Sequence, residues 1–566
     1  MKKVILITSI FIFFTLLFTF PAVLHLSDKI IGDGADSSLL IGWQHVARTQ
    51  VEKGVYPFSW TNYWRYPTGF DYSISYDSVI FISLGLFLYN FSNNPVLVYN
   101  ISVLILVLLN GLFTFLFFTK LSNNKIYGVL GAIIYGFSFY VLARLGGHMN
   151  LIFIGAFPFF IYSLIVFKEK RASVSAFSLV GLSTTLIFLS SLQYFLILLG
   201  SSLIIVPIFY LYYPTLCKKY FLLIIKNVAI AAATVLVTLT VFLVFNAGHV
   251  LAFLNGTLTT LPAAYMSFLS PFPVNFYLPN TYIPLLTNTL HFPNTSLGGI
   301  EGSFYLGLIE MFLFILFLFI SKDKKLKNFL LTSTIVLLIV SFGCSSSYMP
   351  YCYMYEVFPY KGITEMGRFY VILYLLFTIG IISVVKYIKP GFRWLILIIF
   401  MFVIFERLPS NFYLSDLPNQ EGFIKAVKGL DSKAVLDLPI INQWTSTRQK
   451  SNYDLYSIYY QKPIVGGSIQ WVGNTPESEI FLNNLSDLEC GTHSLIAGDY
   501  IHNTMVPMLK KNGIRTIVFH KELEPFDEGQ QICDQAMFNI ETLLYKSGVS
   551  IEKVYTDKNT DVFQLE

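Results

Sequence analysis

Long apolar runs alternate with short polar ones along the chain until about residue 408, where the pattern changes. The apolar runs cover roughly 4–24, 95–119, 127–143, 150–167, 174–191, 195–214, 221–245, 302–320, 328–343, 369–385 and 393–408. Each is long enough for a helix to cross ~30 Å of hydrocarbon, so the pattern predicts about eleven crossings. The first run follows Met1-Lys2-Lys3, lacks a small-residue cleavage site and is long for a signal peptide, so it reads as an uncleaved first membrane helix. Ser78 to Leu88 is apolar but short, which fits a re-entrant or interfacial segment. Beyond Pro409 the runs shorten. Ala434–Leu438 reads as a strand, 504–512 as a helix closed by Gly513, and Thr516–His520 as another strand. Ser550–Tyr555 and Asp561–Leu565 flank Asp557-Lys558-Asn559-Thr560 as a hairpin. The predicted fold is an α-helical polytopic membrane bundle over 1–408 carrying a C-terminal extracytoplasmic α/β domain over 409–566.

Composition supports the bundle and charge orients it. The chain of 566 residues is 55% hydrophobic and only 13% charged, about half the charge of an ordinary soluble protein. Residues 411–566 hold 13 basic and 20 acidic residues, a net −7, which leaves +12 for the rest. The overall +5 therefore says nothing of nucleic acid. The basic residues fall in alternate loops: Lys2 and Lys3; Lys120 and Lys125; Lys168, Lys170 and Arg171; Lys218 and Lys219; Lys322, Lys324, Lys325 and Lys327; Lys386, Lys389 and Arg393. The positive-inside rule makes that side cytoplasmic. The expected protein sits in the plasma membrane with its N-terminus cytoplasmic, and the loops 25–94, 246–301 and 344–368 and the C-terminal domain outside.

Acidic residues in the membrane part gather on the external side. Asp28, Asp33, Asp36, Glu52, Asp71 and Asp77 crowd the first external loop, and Glu301, Glu356 and Glu365 lie in later ones. Two glycines flank Asp33 and allow a tight turn. Asp36 then opens a stretch with Leu39, Leu40, Trp43, Val46 and Ala47 at helical spacing. Asp36 reads as the N-cap of that helix, or the Asp33 and Asp36 carboxylates supply a general base or hold a divalent cation. Glu310 stands inside the eighth run, where an ionisable side chain is a functional candidate by default. Glu301, Glu310, Glu365 and Asp77 are the candidates for supporting the site or meeting an acceptor.

Four stretches resemble the GT-C superfamily of polytopic glycosyltransferases, most closely its dolichyl-phosphate-mannose mannosyltransferase-like and RgtA/B/C/D-like branch. They are Gly32-Asp33-Gly34-Ala35-Asp36 with Trp43 and Tyr66-Pro67-Thr68-Gly69; Arg144-Leu145-Gly146-Gly147-His148-Met149-Asn150; Glu365-Met366-Gly367-Arg368-Phe369; and the external α/β domain. The resemblance implies a hexosyl- or pentosyltransferase that takes a sugar from a polyprenyl-phosphate donor and passes it, with inversion, to an extracytoplasmic glycan, lipid or protein. Asp36, or failing it Asp33, would be the base, and Arg144, His148 and Arg368 would meet the donor phosphate. The adjacent Asp-Glu pair of better-known members is missing. Each basic residue also has a plainer reading: Arg144 snorkelling to headgroups, His148 at the interface, and Arg368 paired with Glu365 one turn away.

No zinc-type Cys/His spacing, nucleotide-binding glycine motif or triad order appears. A disulfide between Cys490 and Cys533 is possible, and Cys344 and Cys352 share a loop. The competing functions are a transporter or flippase of a lipid-linked saccharide and a non-enzymatic envelope-assembly protein. The first would call for an internal repeat and polar, broken helices, and no clear repeat is visible.

Overall fold

The computed structural model describes residues 2–72, 78–170, 173–254, 273–279, 288, 303–344, 348–354, 357, 360, 363, 365–386, 388, 394–417, 422–438, 447–467, 506–521 and 550–566. Asp77, Glu301, Glu356, Cys490 and Cys533 lie outside these residues. Among the described residues six helices are long and apolar enough to cross a membrane: Pro95–Ser122, Lys125–Arg144, Met149–Glu169, Leu192–Tyr212, Val228–Phe245 and Met366–Val385. Val174–Ser190 and Leu308–Ile320 are shorter apolar helices, and Lys2–Phe18, Lys324–Ser341 and Trp394–Arg407 occupy other predicted runs. Val79–Leu88, with 10 residues, reaches about 15 Å along its axis, which is short of a crossing.

Burial separates the centre of the bundle from its rim. The apolar window of Met366–Val385 is 89% buried, whereas that of Val228–Phe245 is 0% buried and faces outward. The predicted run 221–245 is not one helix. Pro214–Lys226 ends at Asn227, whose backbone leaves the helical region, and a new helix begins at Val228. The basic residues Lys218, Lys219 and Lys226 explain the break, because an amphipathic segment holds its charges at the surface while the next helix enters lipid.

The helix Pro95–Ser122 shows how local chemistry sets an element. Asn94 accepts hydrogen bonds from the amides of Val96 and Leu97 at 2.9 and 3.0 Å, Pro95 occupies the first turn, and Asn123 closes the far end in a left-handed conformation. Lys125–Arg144 is interrupted by a π turn at Ala132–Gly136 and restarts at Phe139, with the Ser138 hydroxyl accepting from the Val141 amide. That second start aims Arg144 and the following loop.

Among the described residues three sheets tie the polar parts together. Strand β1 (Lys29–Ile31) pairs antiparallel with β4 (Leu414–Asp416), joining the first loop to the segment after the last apolar helix. β2 (Trp60–Thr61) and β3 (Phe70–Asp71) form a hairpin. β5 (Ala434–Leu438), β6 (Ile514–His520), β7 (Ile551–Thr556) and β8 (Thr560–Leu565) make a four-stranded sheet in the order β5-β6-β8-β7. In it β5 and β6 are parallel and the other pairs antiparallel. The helix Thr447–Tyr460 lies between this sheet and the helix Asp36–Glu52. Leu39, Trp43, Val46 and Ala47 share one apolar core with Trp64, Tyr453, Val435, Val518 and Val562. The Tyr63 hydroxyl and Trp64 indole donate to Ser457, and the amides of Arg65 and Tyr66 donate to the Gly466 and Ile464 carbonyls.

Candidate active site

The segment Ile31–Ser38 is gripped from three sides. The Ile31 amide donates to Asn100 Oδ1, and its carbonyl accepts from the Tyr99 hydroxyl. Gly32 donates to the Tyr413 carbonyl and accepts from the Ser415 hydroxyl, and the Asp33 amide donates to the Gly146 carbonyl at 2.8 Å. Gly32 has φ +129°, and a Cβ there would lie 2.8 Å from Ser37, so glycine is required on two counts. Gly34 (φ +82°) donates to the Ser37 hydroxyl and accepts from Ser38.

This turn presents the two aspartates differently. Asp33 Oδ1 accepts from the Ala35 amide at 2.9 Å. Burial pushes the Asp33 carboxyl above its ordinary range. The Ala35 amide opposes that rise, while the charge of Asp36 adds to it. Asp36 corrects the capping expectation. Ala35 is the N-cap and makes no side-chain cap bond, while Asp36 stands in the first helical turn. Its Oδ2 lies 3.1 Å from His148 Nε2 instead. The turn's amides are satisfied by Ser37 and Asp33, which frees the Asp36 carboxylate for a partner more than a hundred residues away.

Behind His148 stands Arg144, wholly buried, whose Nη1 donates to His148 Nδ1 at 2.8 Å. Its guanidinium rests over the Tyr140 ring at 4.8 Å. The Tyr140 hydroxyl lies 3.2 Å from that of Tyr194, which donates to the Leu151 carbonyl. Tyr194 is within electrostatic reach of both Arg144 and Arg368. Arg368 sits in the turn Met366–Phe369, forms an ion pair with Glu365 at 3.0 Å and donates to Gln193. The structure thus joins Asp36, His148 and Arg144 by direct contacts, with Asp33 near Asp36, and puts Arg368 within electrostatic reach of Tyr194, while the plainer pairing of Arg368 with Glu365 is also present. Sequence reasoning missed Tyr140, Gln193 and Tyr194, since nothing marks a Tyr or Gln at a helix start as a link between two arginines.

Glu310 lies elsewhere, in a separate buried cluster. Its Oε1 is 2.6 Å from Arg407 Nη1, and both side chains are fully buried. Arg407 also donates to the Ile134 and Phe137 carbonyls at 3.0 and 3.1 Å, beside the π turn. Glu406 accepts from the Leu308 and Ile309 amides and the Tyr305 hydroxyl, capping Leu308–Ile320. The adjacent charges Glu406-Arg407 closing an apolar run were a readable signal. Among the described residues no three His, Cys, Asp or Glu side chains gather as a metal-binding group.

No protein-family model and no curated protein matches the sequence. The fold has solved relatives. The arabinofuranosyltransferase AftD from Mycobacteria is similar with a TM-score of 0.53 at 13% identity, covering 100% of this chain and 40% of that one. This chain therefore spans about two fifths of the length of AftD. The oligosaccharyltransferase AglB from Archaeoglobus fulgidus, solved with an inhibitory peptide and a dolichol-phosphate, gives 0.42 at 11% identity, covering 92% of this chain and 69% of that one. ArnT from Cupriavidus metallidurans, bound to undecaprenyl phosphate, gives 0.38 at 11%, covering 99% and 98%. The fold is similar to that of AftD, and the apolar helices make the protein a multi-pass membrane protein.

Proposed function

We propose that this protein is a polyprenyl-phosphate-sugar-dependent glycosyltransferase that moves a hexosyl or pentosyl unit, with inversion, to an extracytoplasmic acceptor. The observation that carries this reading is a carboxylate, Asp36, held by His148, behind which stands the buried Arg144. In such a transfer Asp36 takes the proton of the acceptor hydroxyl as that oxygen attacks the anomeric carbon. The bond from carbon to phosphate oxygen breaks, and the electron pair leaves with the phosphate, whose growing charge a guanidinium meets. The GT-C fold and the name of AftD support a sugar as the transferred group.

The same reading places about eleven helices in the membrane over 1–408, the N-terminus in the cytoplasm, and residues 409–566 as an extracytoplasmic domain.

The test is transfer of labelled sugar from a panel of synthetic polyprenyl-phosphate monosaccharides by the purified protein, with glycan profiling of a deletion strain to name the acceptor. Asp36→Asn is expected to lower turnover by about 10²–10⁴-fold. If Asp36→Asn and Asp33→Asn both keep full activity and full glycan assembly, the reading is wrong.

A further inference from the structure

We infer that His148 is a positioning residue, locked by Arg144 in its Nε2–H tautomer to hold one oxygen of Asp36, rather than a cation for the donor phosphate. The inference rests on the proposed role of Asp36 as base. A guanidinium has donors only, so His148 Nδ1, 2.8 Å from Arg144 Nη1, must be the acceptor. A neutral imidazole then carries its single proton on Nε2, which faces Asp36 Oδ2 at 3.1 Å. An imidazolium would set an N–H and a positive charge against a buried guanidinium. Arg144 has no room to yield, being wholly buried and seated over the Tyr140 ring. Among the described residues, Arg144 stands on one side of the ring and Asp36, with Asp33 near it, on the other.

The consequence for the reaction is a division of labour. His148 keeps its proton throughout and donates to Oδ2. The acceptor proton goes to Oδ1 of Asp36, the oxygen that His148 does not hold. Arg144 fixes the tautomer, and the Arg368 guanidinium, within electrostatic reach of Tyr194, meets the phosphate. Fixing the proton on the correct imidazole nitrogen is worth a great deal in other enzymes that use a His–carboxylate pair.

His148→Gln and His148→Lys separate the two roles. A glutamine amide can accept from Arg144 and still donate to Asp36, whereas a lysine restores only a positive charge. The expected result is that His148→Gln keeps turnover within about tenfold of the parent. His148→Ala and His148→Lys should each lose roughly 10²-fold in kcat, with the KM for the polyprenyl-phosphate sugar unchanged. If His148→Lys outperforms His148→Gln, or His148→Ala raises the donor KM while kcat holds, the inference is overturned. A readout free of activity covers the case where Asp36 proves not to be the base. The ¹⁵N-histidine spectrum of the detergent-solubilised protein, assigned by its difference from His148→Gln, should show a neutral Nε2–H ring at pH 7. A doubly protonated or Nδ1–H ring there would overturn it.

Discussion

Asp33 and Asp36 stand three residues apart on one turn, yet their surroundings differ. Asp33 lies against Ala35 in a partly buried pocket, and Asp36 reaches across to His148. Because burial raises the Asp33 carboxyl, the folded protein binds that proton more tightly than the unfolded chain does. The ionised carboxylate therefore costs stability at neutral pH, and the cost fades as pH falls through the raised folded value and is gone below the unfolded value of about 4. Asp33→Asn keeps the acceptor for Ala35 and removes the charge. It should raise the thermal midpoint at pH 7, with the gain shrinking toward pH 4, while lowering transfer activity. Equal midpoints across that range would mean that Asp33 is solvated like a surface carboxylate. The pair itself was legible in Gly32-Asp33-Gly34-Ala35-Asp36, since glycines around an acid mark a turn. The cap was not, because helix start signals do not resolve a single position.

At the scale of elements, the break in Lys125–Arg144 and the charges of the last apolar helix explain each other. A π turn loosens the regular ladder near Ile134 and Phe137. Arg407 donates to both carbonyls, and Glu310 neutralises it inside the bundle. Removing one member leaves the other charged, buried and unmatched, a cost of about 3–5 kcal/mol. Arg407→Leu and Glu310→Gln should therefore each lower the unfolding midpoint in detergent sharply. The double variant should cost less than the sum of the two, as read from a double-mutant cycle. Additive losses would show that the two side chains act separately. Glu310 was visible in the sequence as an acid within an apolar run. Its pairing with Arg407, 97 positions on, was not, because helical spacing relates neighbours on one helix and says nothing of which helices meet.

Across the whole molecule, the polar segments form one structure around the first loop. Strand β1 hydrogen-bonds with β4, the Gly32 amide donates to Tyr413, and the Asp36–Glu52 helix shares its core with the C-terminal sheet. A chain ending after Leu408 would lose that strand, that acceptor and the helix Thr447–Tyr460. Its 29–38 segment should exchange amide hydrogens far faster than in the full protein, measured by mass spectrometry in nanodiscs. Unchanged protection would mean that Asn100, Tyr99 and Gly146 hold the loop by themselves. The amino-acid sequence alone determined which segments are apolar helices and which are short strands, and that Asp36 opens a helix with one buried face. Those properties depend on how each residue and its near neighbours partition between lipid, water and core. The tertiary structure alone decided that Asp36 meets His148, that Glu310 meets Arg407 and that β1 pairs with β4. Such contacts arise where distant elements cross, and no local period of the chain records that distance.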